Sequence, residues 1–170
     1  MKKKVVFLLM CLMLLGAGSA FAAASPTDNS DPAASQMVAS VKKFELLKEF
    51  QDELHQINSL RITRLETKTQ IVQKQDQIID LTLAAKENGN KEALKEAAAV
   101  RKQIHTVNAD LDNLWSNMKD EMKAFKQAVK DRDSGQAQAR INNVISIFGE
   151  INGKLTDKAG LYDQIIDILK

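Results

Sequence analysis

The sequence predicts an all-α fold, an elongated antiparallel three-helix bundle with coiled-coil packing. Apolar residues recur every seven positions over long stretches, two short segments rich in Gly, Asn, Asp and Ser interrupt them, and both prolines precede residue 33. The predicted helices cover residues 32–87, 90–131 and 136–170. Because the connections between these long helices are short, neighbouring helices should lie side by side and run in opposite directions.

The N-terminus has the pattern of a secretory signal peptide. Three lysines at positions 2–4 precede an apolar stretch, and Ala20-Phe21-Ala22 follows as a cleavage site. We therefore expect residues 1–22 to be removed and the protein to be exported to the periplasm, the cell envelope or the extracellular space. Membrane attachment is expected only if the signal stays uncleaved as an anchor or if Cys11 is lipidated.

Charge and cysteine content exclude several classes of partner and site. The full chain has 24 basic and 22 acidic side chains, and removal of residues 1–22 would leave 21 basic against 22 acidic groups. This balance argues against a nucleic-acid partner, because phosphate binding requires a concentrated basic surface. Cys11 is the only cysteine, so the exported chain would contain no disulfide, no thiolate metal site and no cysteine nucleophile.

The first predicted helix follows a polar segment. Residues 23–35 hold both prolines and no large apolar side chain, which predicts a flexible tether, and residues 36–170 then form a single helical domain. Asp31-Pro32 is a typical helix start, and no glycine or proline follows before Glu87. The apolar stripe assigned to this helix contains Val41, Phe44, Leu47, Phe50, Leu54, Ile57, Leu60, Leu65, Ile71, Val72, Ile78, Ile79 and Leu81.

The second helix has the clearest heptad pattern of the chain. It lies between two predicted reversals, at Asn88-Gly89-Asn90 and at residues 132–135, where glycine and asparagine allow the left-handed backbone that ends a helix. Its a and d positions are Ala97, Val100, Ile104, Val107, Leu111, Leu114, Met118, Glu121, Phe125 and Ala128.

The third helix carries an apolar seam and several glycines. Because glycine weakens a helix, Gly149, Gly153 and Gly160 predict either a weak helix or one that is broken near residues 152–153. The predicted seam consists of Ile141, Val144, Phe148, Ile151, Leu155, Tyr162, Ile165 and Leu169, and Lys158 interrupts it.

Two groups of residues are candidate sites. The first helix is predicted to extend about ten residues beyond the second, and a second copy, the tether or a fold-back is expected to cover the apolar side chains of this overhang, which are Met37, Val38, Val41, Phe44 and Leu47. A polar layer is predicted where Lys68, Asn108, Asp110 and Lys158 fall at one height. We expect Asp110 to lie near one or both of these lysines and to fix the helix register.

Catalytic and cofactor motifs are not recognisable in the sequence. His55 and His105 are predicted about 25 Å apart along the bundle, and no nucleophile elbow or phosphate-binding loop occurs. Arg61, Arg64 and Lys68 form a short basic stripe that is intermingled with acids, which predicts a solvated face.

The expected function is therefore that of a non-catalytic protein without metal or cofactor. We expect it to act by protein–protein interaction through its coiled-coil faces, with a protein partner or with itself. A holdase-like envelope chaperone and a membrane-surface amphipathic helix protein are the alternatives.

Overall fold

The computed structural model describes Glu45 and residues 48–170, and this part of the chain forms three packed helices and no strand. Helix α1 spans Gln51–Glu87, α2 spans Lys91–Asp131 and α3 spans Ser134–Leu169. At 1.5 Å per residue each helix is roughly 55 to 60 Å long. The prediction of an all-α three-helix bundle is confirmed.

Local chemistry explains where the helices reverse. Asn90 Oδ1 accepts a hydrogen bond from the Ala93 N–H at 3.2 Å, and Asp133 Oδ1 accepts one from the Gln136 N–H at 2.8 Å. Both side chains therefore satisfy amides that the first turn of a helix leaves unpaired. Gly89 and Arg132 adopt left-handed φ angles of 69° and 60°, which end the preceding helices. The observed helix ends lie within two residues of those predicted for α2 and α3.

A buried aromatic residue, Phe50, directly precedes α1. The predicted helix start at Asp31-Pro32 lies outside the described residues, whereas Glu45, Lys48 and Glu49 are helical. Phe50 then interrupts the regular helix, with φ −102° and ψ 21°. Its side chain is fully buried, and its ring meets that of Phe125 edge to face at 5.4 Å. This contact joins the N-terminal end of α1 to the C-terminal half of α2.

Helix α3 packs along both other helices, whereas α1 and α2 approach each other at fewer positions. Two sides of α3 are therefore apolar. Its buried residues are Ala137, Ile141, Val144, Phe148, Ile151, Leu155, Ala159, Ile165, Ile166 and Leu169.

The core consists of three clusters of buried residues along the helices, and all three helices contribute to each cluster. Near the first reversal, Ile78 packs with residues that include Ala97, Ile104 and Ile165. The middle of the core contains Ile71, Leu111, Ile151, Leu155 and Ala159. The far end contains Phe50, Ile57, Phe125, Ala128, Ala137, Ile141, Val144 and Phe148.

The suggested break of the third helix near residues 152–153 is wrong, because α3 is continuous through Asn152 and Gly153. Ile151 and Leu155 are buried on either side of this point. Asn152 Nδ2 also donates a hydrogen bond to the Leu60 carbonyl of α1 at 3.0 Å. Tertiary contacts thus outweigh the helix propensity lost at glycine, which is about 1 kcal/mol.

The apolar stripe predicted for α1 is wrong in part, because Leu65, Val72 and Ile79 are exposed. Successive residues of a helix point about 100° apart. Ile71 and Val72 therefore cannot both face the same neighbour, and it is Ile71 that enters the core. The core row of α1 consists of the buried residues Ile57, Ile71, Ile78 and Ala85.

A matched pair of substitutions tests this assignment of the core. Ile151→Ala should lower the free energy of unfolding by about 2 to 5 kcal/mol, because it leaves a cavity at a fully buried site. Ile79→Ala, at an exposed position, should change it by less than about 1 kcal/mol. Urea unfolding followed by circular dichroism measures both values. Equal losses in the two variants would contradict the burial described above.

Candidate interaction surface

Helix α1 carries a row of large apolar side chains that face solvent. Ile62, Leu65, Val72, Ile79 and Leu83 are each between 53% and 62% exposed. Leu65, Val72 and Ile79 repeat every seven residues, and Ile62 and Leu83 belong to the adjacent heptad row. We call these five residues the outer stripe. From Ile62 to Leu83 it extends about 32 Å along α1.

The outer stripe points away from both neighbouring helices. Contacts with α3 involve Leu60, whose carbonyl binds Asn152, and Lys74, whose ammonium group pairs with Asp163. A contact with α2 involves Thr82, whose hydroxyl accepts a hydrogen bond from Arg101 at 3.2 Å. Leu60 and Lys74 share the heptad row that faces α3, and Thr82 lies in a row that faces α2. The two heptad rows of the outer stripe lie on the other side of α1. The helix therefore has one face for the core and a second apolar face outside it.

Acidic side chains border the outer stripe. Glu66, Asp80 and Glu87 share the heptad row beside it, and Asp76 lies in the row of Ile62 and Leu83. All four are exposed, and none forms an ion pair within the described part of the chain. Lys86 adds a base near the end of the stripe. The surface is thus apolar along its centre and negative along one edge.

Two arginines occupy the space between α1 and the aromatic residues of the other helices. The Arg64 guanidinium carbon lies 5.0 Å from the centroid of the Trp115 ring, and that of Arg61 lies 5.9 Å from Phe148. The Trp115 and Phe148 rings meet edge to face at 5.9 Å. Such stacking suits the planar guanidinium group.

The prediction of a solvated basic face is therefore wrong for Arg61 and Arg64, which are half-buried. Arg64 lies in the same heptad row as Ile57, Ile71 and Ile78, and it replaces an apolar residue of the core row. A long side chain of this kind can bury its stem where two helices stand further apart. The core row of α1 therefore continues from Ile57 to Ile71 although the position between them is a charged arginine.

The predicted polar layer is divided between two contacts. Lys158 Nζ donates a hydrogen bond to Asn108 Oδ1 at 2.7 Å, which joins α3 to α2. Asp110 forms an ion pair at 2.7 Å with Lys154, one turn before Lys158. The expected approach of Asp110 to Lys68 or Lys158 stays a prediction. Polar contacts between α2 and α3 nevertheless occur at the height where the layer was expected.

Loss of hydration and like charges act on the lysines of this region. Partial desolvation, followed by repulsion from Arg64 and Lys158, lowers the pKa of Lys68. Desolvation also lowers the pKa of Lys158, although the Asp112 carboxylate opposes this effect. The hydrogen bond and attraction from Asp110 raise the pKa of Lys154. The ammonium form of Lys68 is therefore disfavoured by the folded state.

The other candidate residues do not form a site in the part of the chain that the structure describes. The predicted surface of Met37, Val38, Val41, Phe44 and Leu47 lies outside the described residues. His55 and His105 are exposed. Among residues 48–170 and Glu45, no group of three or more His, Cys, Asp or Glu side chains is placed to hold a metal ion. None of the helices described is both long and apolar enough to span a membrane.

Sequence reasoning missed the outer stripe because it merged two rows of α1 into one. The adjacent pairs Ile71-Val72 and Ile78-Ile79 contain the signal that separates them. Adjacent residues of a helix point about 100° apart, so only one member of each pair can face a given neighbouring helix. Such pairs therefore indicate a second apolar face.

Comparison of the chain with protein-family models, curated proteins and solved structures finds no match. Its function is therefore inferred from the geometry of the outer stripe and the surrounding charges.

Substitution of Lys68 tests the electrostatics of the layer. Lys68→Met should raise the free energy of unfolding at pH 7 by about 0.2 to 0.5 kcal/mol, because it removes a like-charge i, i+4 pair with Arg64. A folded-state pKa below the unfolded value means that the wild type gains stability as the pH rises from the folded pKa towards 10.5. The advantage of the variant should therefore shrink over that range. Lys102→Met, at an exposed position of α2, is the control, and urea titrations from pH 7 to 10.5 measure the difference. An advantage that grows with pH would contradict this account.

Proposed function

We propose that this is an exported, non-catalytic binding protein that holds a protein partner against the outer stripe of α1. The observation that supports the proposal is the arrangement of five large apolar side chains, each more than half exposed, along one side of a rigid helix. Exposed apolar surface of this extent marks interaction sites in soluble proteins. The buried face of α1 packs in the bundle core, and the outer stripe on its opposite face is exposed.

Covering the stripe supplies part of the free energy that specific binding requires. Complete burial of a Val, Leu or Ile side chain stabilises a protein by about 1.5 to 3 kcal/mol. Side chains that are already about half covered would contribute on the order of 1 kcal/mol each, or roughly 5 kcal/mol for the five. Losses of side-chain and rotational freedom reduce this value, so the acidic border has to contribute to affinity or to partner choice.

The spacing of the stripe suits a helical partner. Apolar residues at intervals of three, four and seven positions are how one amphipathic helix recognises another. A partner with the same spacing and basic flanking residues would bury its apolar face and pair with Glu66 and Asp80. A membrane surface is a poorer ligand, because acidic side chains repel anionic headgroups.

A holdase-like chaperone is the second candidate, because the same exposed stripe could bind apolar segments of unfolded proteins. The two functions differ in the number of proteins bound. A dedicated binding protein selects one partner or a few, whereas a holdase binds many unrelated clients through the same residues.

Site-specific photo-crosslinking tests the proposed function in the host cell. Benzoylphenylalanine at position 72 or 79 should give crosslinked products, whereas the same residue at Gln70 or Gln77, on the polar side of α1, should give few. One or two discrete products at the stripe positions would support a dedicated partner, and a broad ladder would support the holdase. Equal crosslinking at stripe and control positions, or none at either, would contradict both functions.

A further inference from the structure

We propose that the outer stripe binds residues 37–47 of a second copy of this chain. The inference rests on the proposed function, because it assigns an occupant to the same surface. Three properties of the stripe and of this segment support it: their shared heptad rows, their opposite charges, and the distance between them within one chain.

The segment and the stripe have the same apolar pattern. Counted along the sequence, Met37 and Phe44 precede Leu65, Val72 and Ile79 by multiples of seven residues. Val41 falls in the row of Ile62 and Leu83. These rows are polar between the two groups, where they contain Lys48, Gln51, His55 and Asn58. A two-fold contact uses the same surface on both copies, so each copy can provide one segment and one stripe.

The charges of the two surfaces are complementary. Residues 37–47 contain Lys42 and Lys43 against one acid, Glu45, and Lys48 follows directly. The border of the stripe contains Glu66, Asp76, Asp80 and Glu87 against Lys86. Opposite net charges favour this pairing, whereas a contact between two stripes would bring two acidic surfaces together.

A chain cannot cover the whole of its own stripe with this segment. At the helical rise of 1.5 Å per residue, Ile62 lies about 22 Å beyond position 47, and Ile79 lies about 48 Å beyond it. Met37, the residue of the segment furthest from the stripe in sequence, precedes position 47 by ten residues and reaches about 34 Å in a fully extended chain. The segment can therefore approach Ile62 and Leu65 of its own chain, but it cannot reach Ile79 or Leu83. A second copy, which approaches from the side, has no such limit.

Sedimentation velocity of the exported chain and of charge-inserting variants tests the inference. The wild type should form a concentration-dependent dimer whose dissociation constant increases with salt, because the charged border is screened. Val72→Asp in the stripe and Val41→Asp in the segment should each weaken the dimer by about 100-fold or more, because a carboxylate would be placed in an apolar contact. Gln70→Asp adds the same charge to the polar side of α1 and should leave the dimer unchanged.

Mixing the two defective variants tests whether the segment of one copy binds the stripe of the other, as opposed to a different dimer contact. The Val72→Asp chain keeps an intact segment and the Val41→Asp chain keeps an intact stripe, so the mixture should form a heterodimer with one native contact. Thermal unfolding by circular dichroism confirms that each variant retains its fold, as the exposure of Val72 requires.

Three results would overturn the inference: a wild type that stays monomeric at about 100 µM, well above the micromolar range of moderate affinity, a Val41→Asp chain that dimerises like the wild type, or a mixture without heterodimer. A monomeric wild type that still crosslinks to another protein through position 72 would leave the proposed function intact. The experiments therefore distinguish a wrong assignment of the bound segment from a wrong assignment of the outer stripe as a binding surface.

Discussion

Burial of two sides of α3 is the constraint on which the arrangement of the helices depends. Ile141, Val144, Ile151 and Ile165 are all fully buried, and such burial requires a helix on each side. Helices α1 and α2 therefore flank α3 and contact each other less. Long side chains, including that of Arg64 over Trp115, occupy the space between them. Within residues 48–170, this arrangement also leaves the outer stripe of α1 facing away from α2 and α3.

Helix α1 combines a structural face with a free apolar face. Its core row is sparse, since Ile57, Ile71, Ile78 and Ala85 are its buried members. The outer stripe has five large aliphatic residues, against three in this core row, although the five contribute little to the stability of a single bundle. Apolar side chains that a fold does not need, placed at regular spacing on a rigid helix, are better explained by binding than by folding. The chemistry of the bundle thus agrees with a role in recognition.

Sequence reasoning predicted most of the fold because local chemistry and periodicity determine it. The reversals at residues 88–90 and 132–135 predicted the helix ends, and the heptads of α2 and α3 predicted most of the buried residues. Periodicity identifies residues that share a row, but it does not indicate how many neighbours a helix has. For this reason the outer stripe and the half-buried Arg61 and Arg64 were not predicted. The predicted break at Gly153 was wrong for a similar reason. The contacts of Ile151 and Asn152 that stabilise α3 there depend on the packing of the helices, which periodicity does not indicate.

The central claim is that adjacent rows of α1 face opposite environments, and thiol labelling of single-cysteine variants tests it most directly. In a chain whose Cys11 is replaced by Ser, Ile71→Cys and Val72→Cys would each provide one reactive group. At nanomolar protein concentration, where self-association is negligible, position 72 should react nearly as fast as in urea. Position 71 should react more than about tenfold slower, because its exposure requires opening of the core. Equal reaction rates at the two positions would contradict the claim that α1 has a buried core face and a separate exposed apolar face.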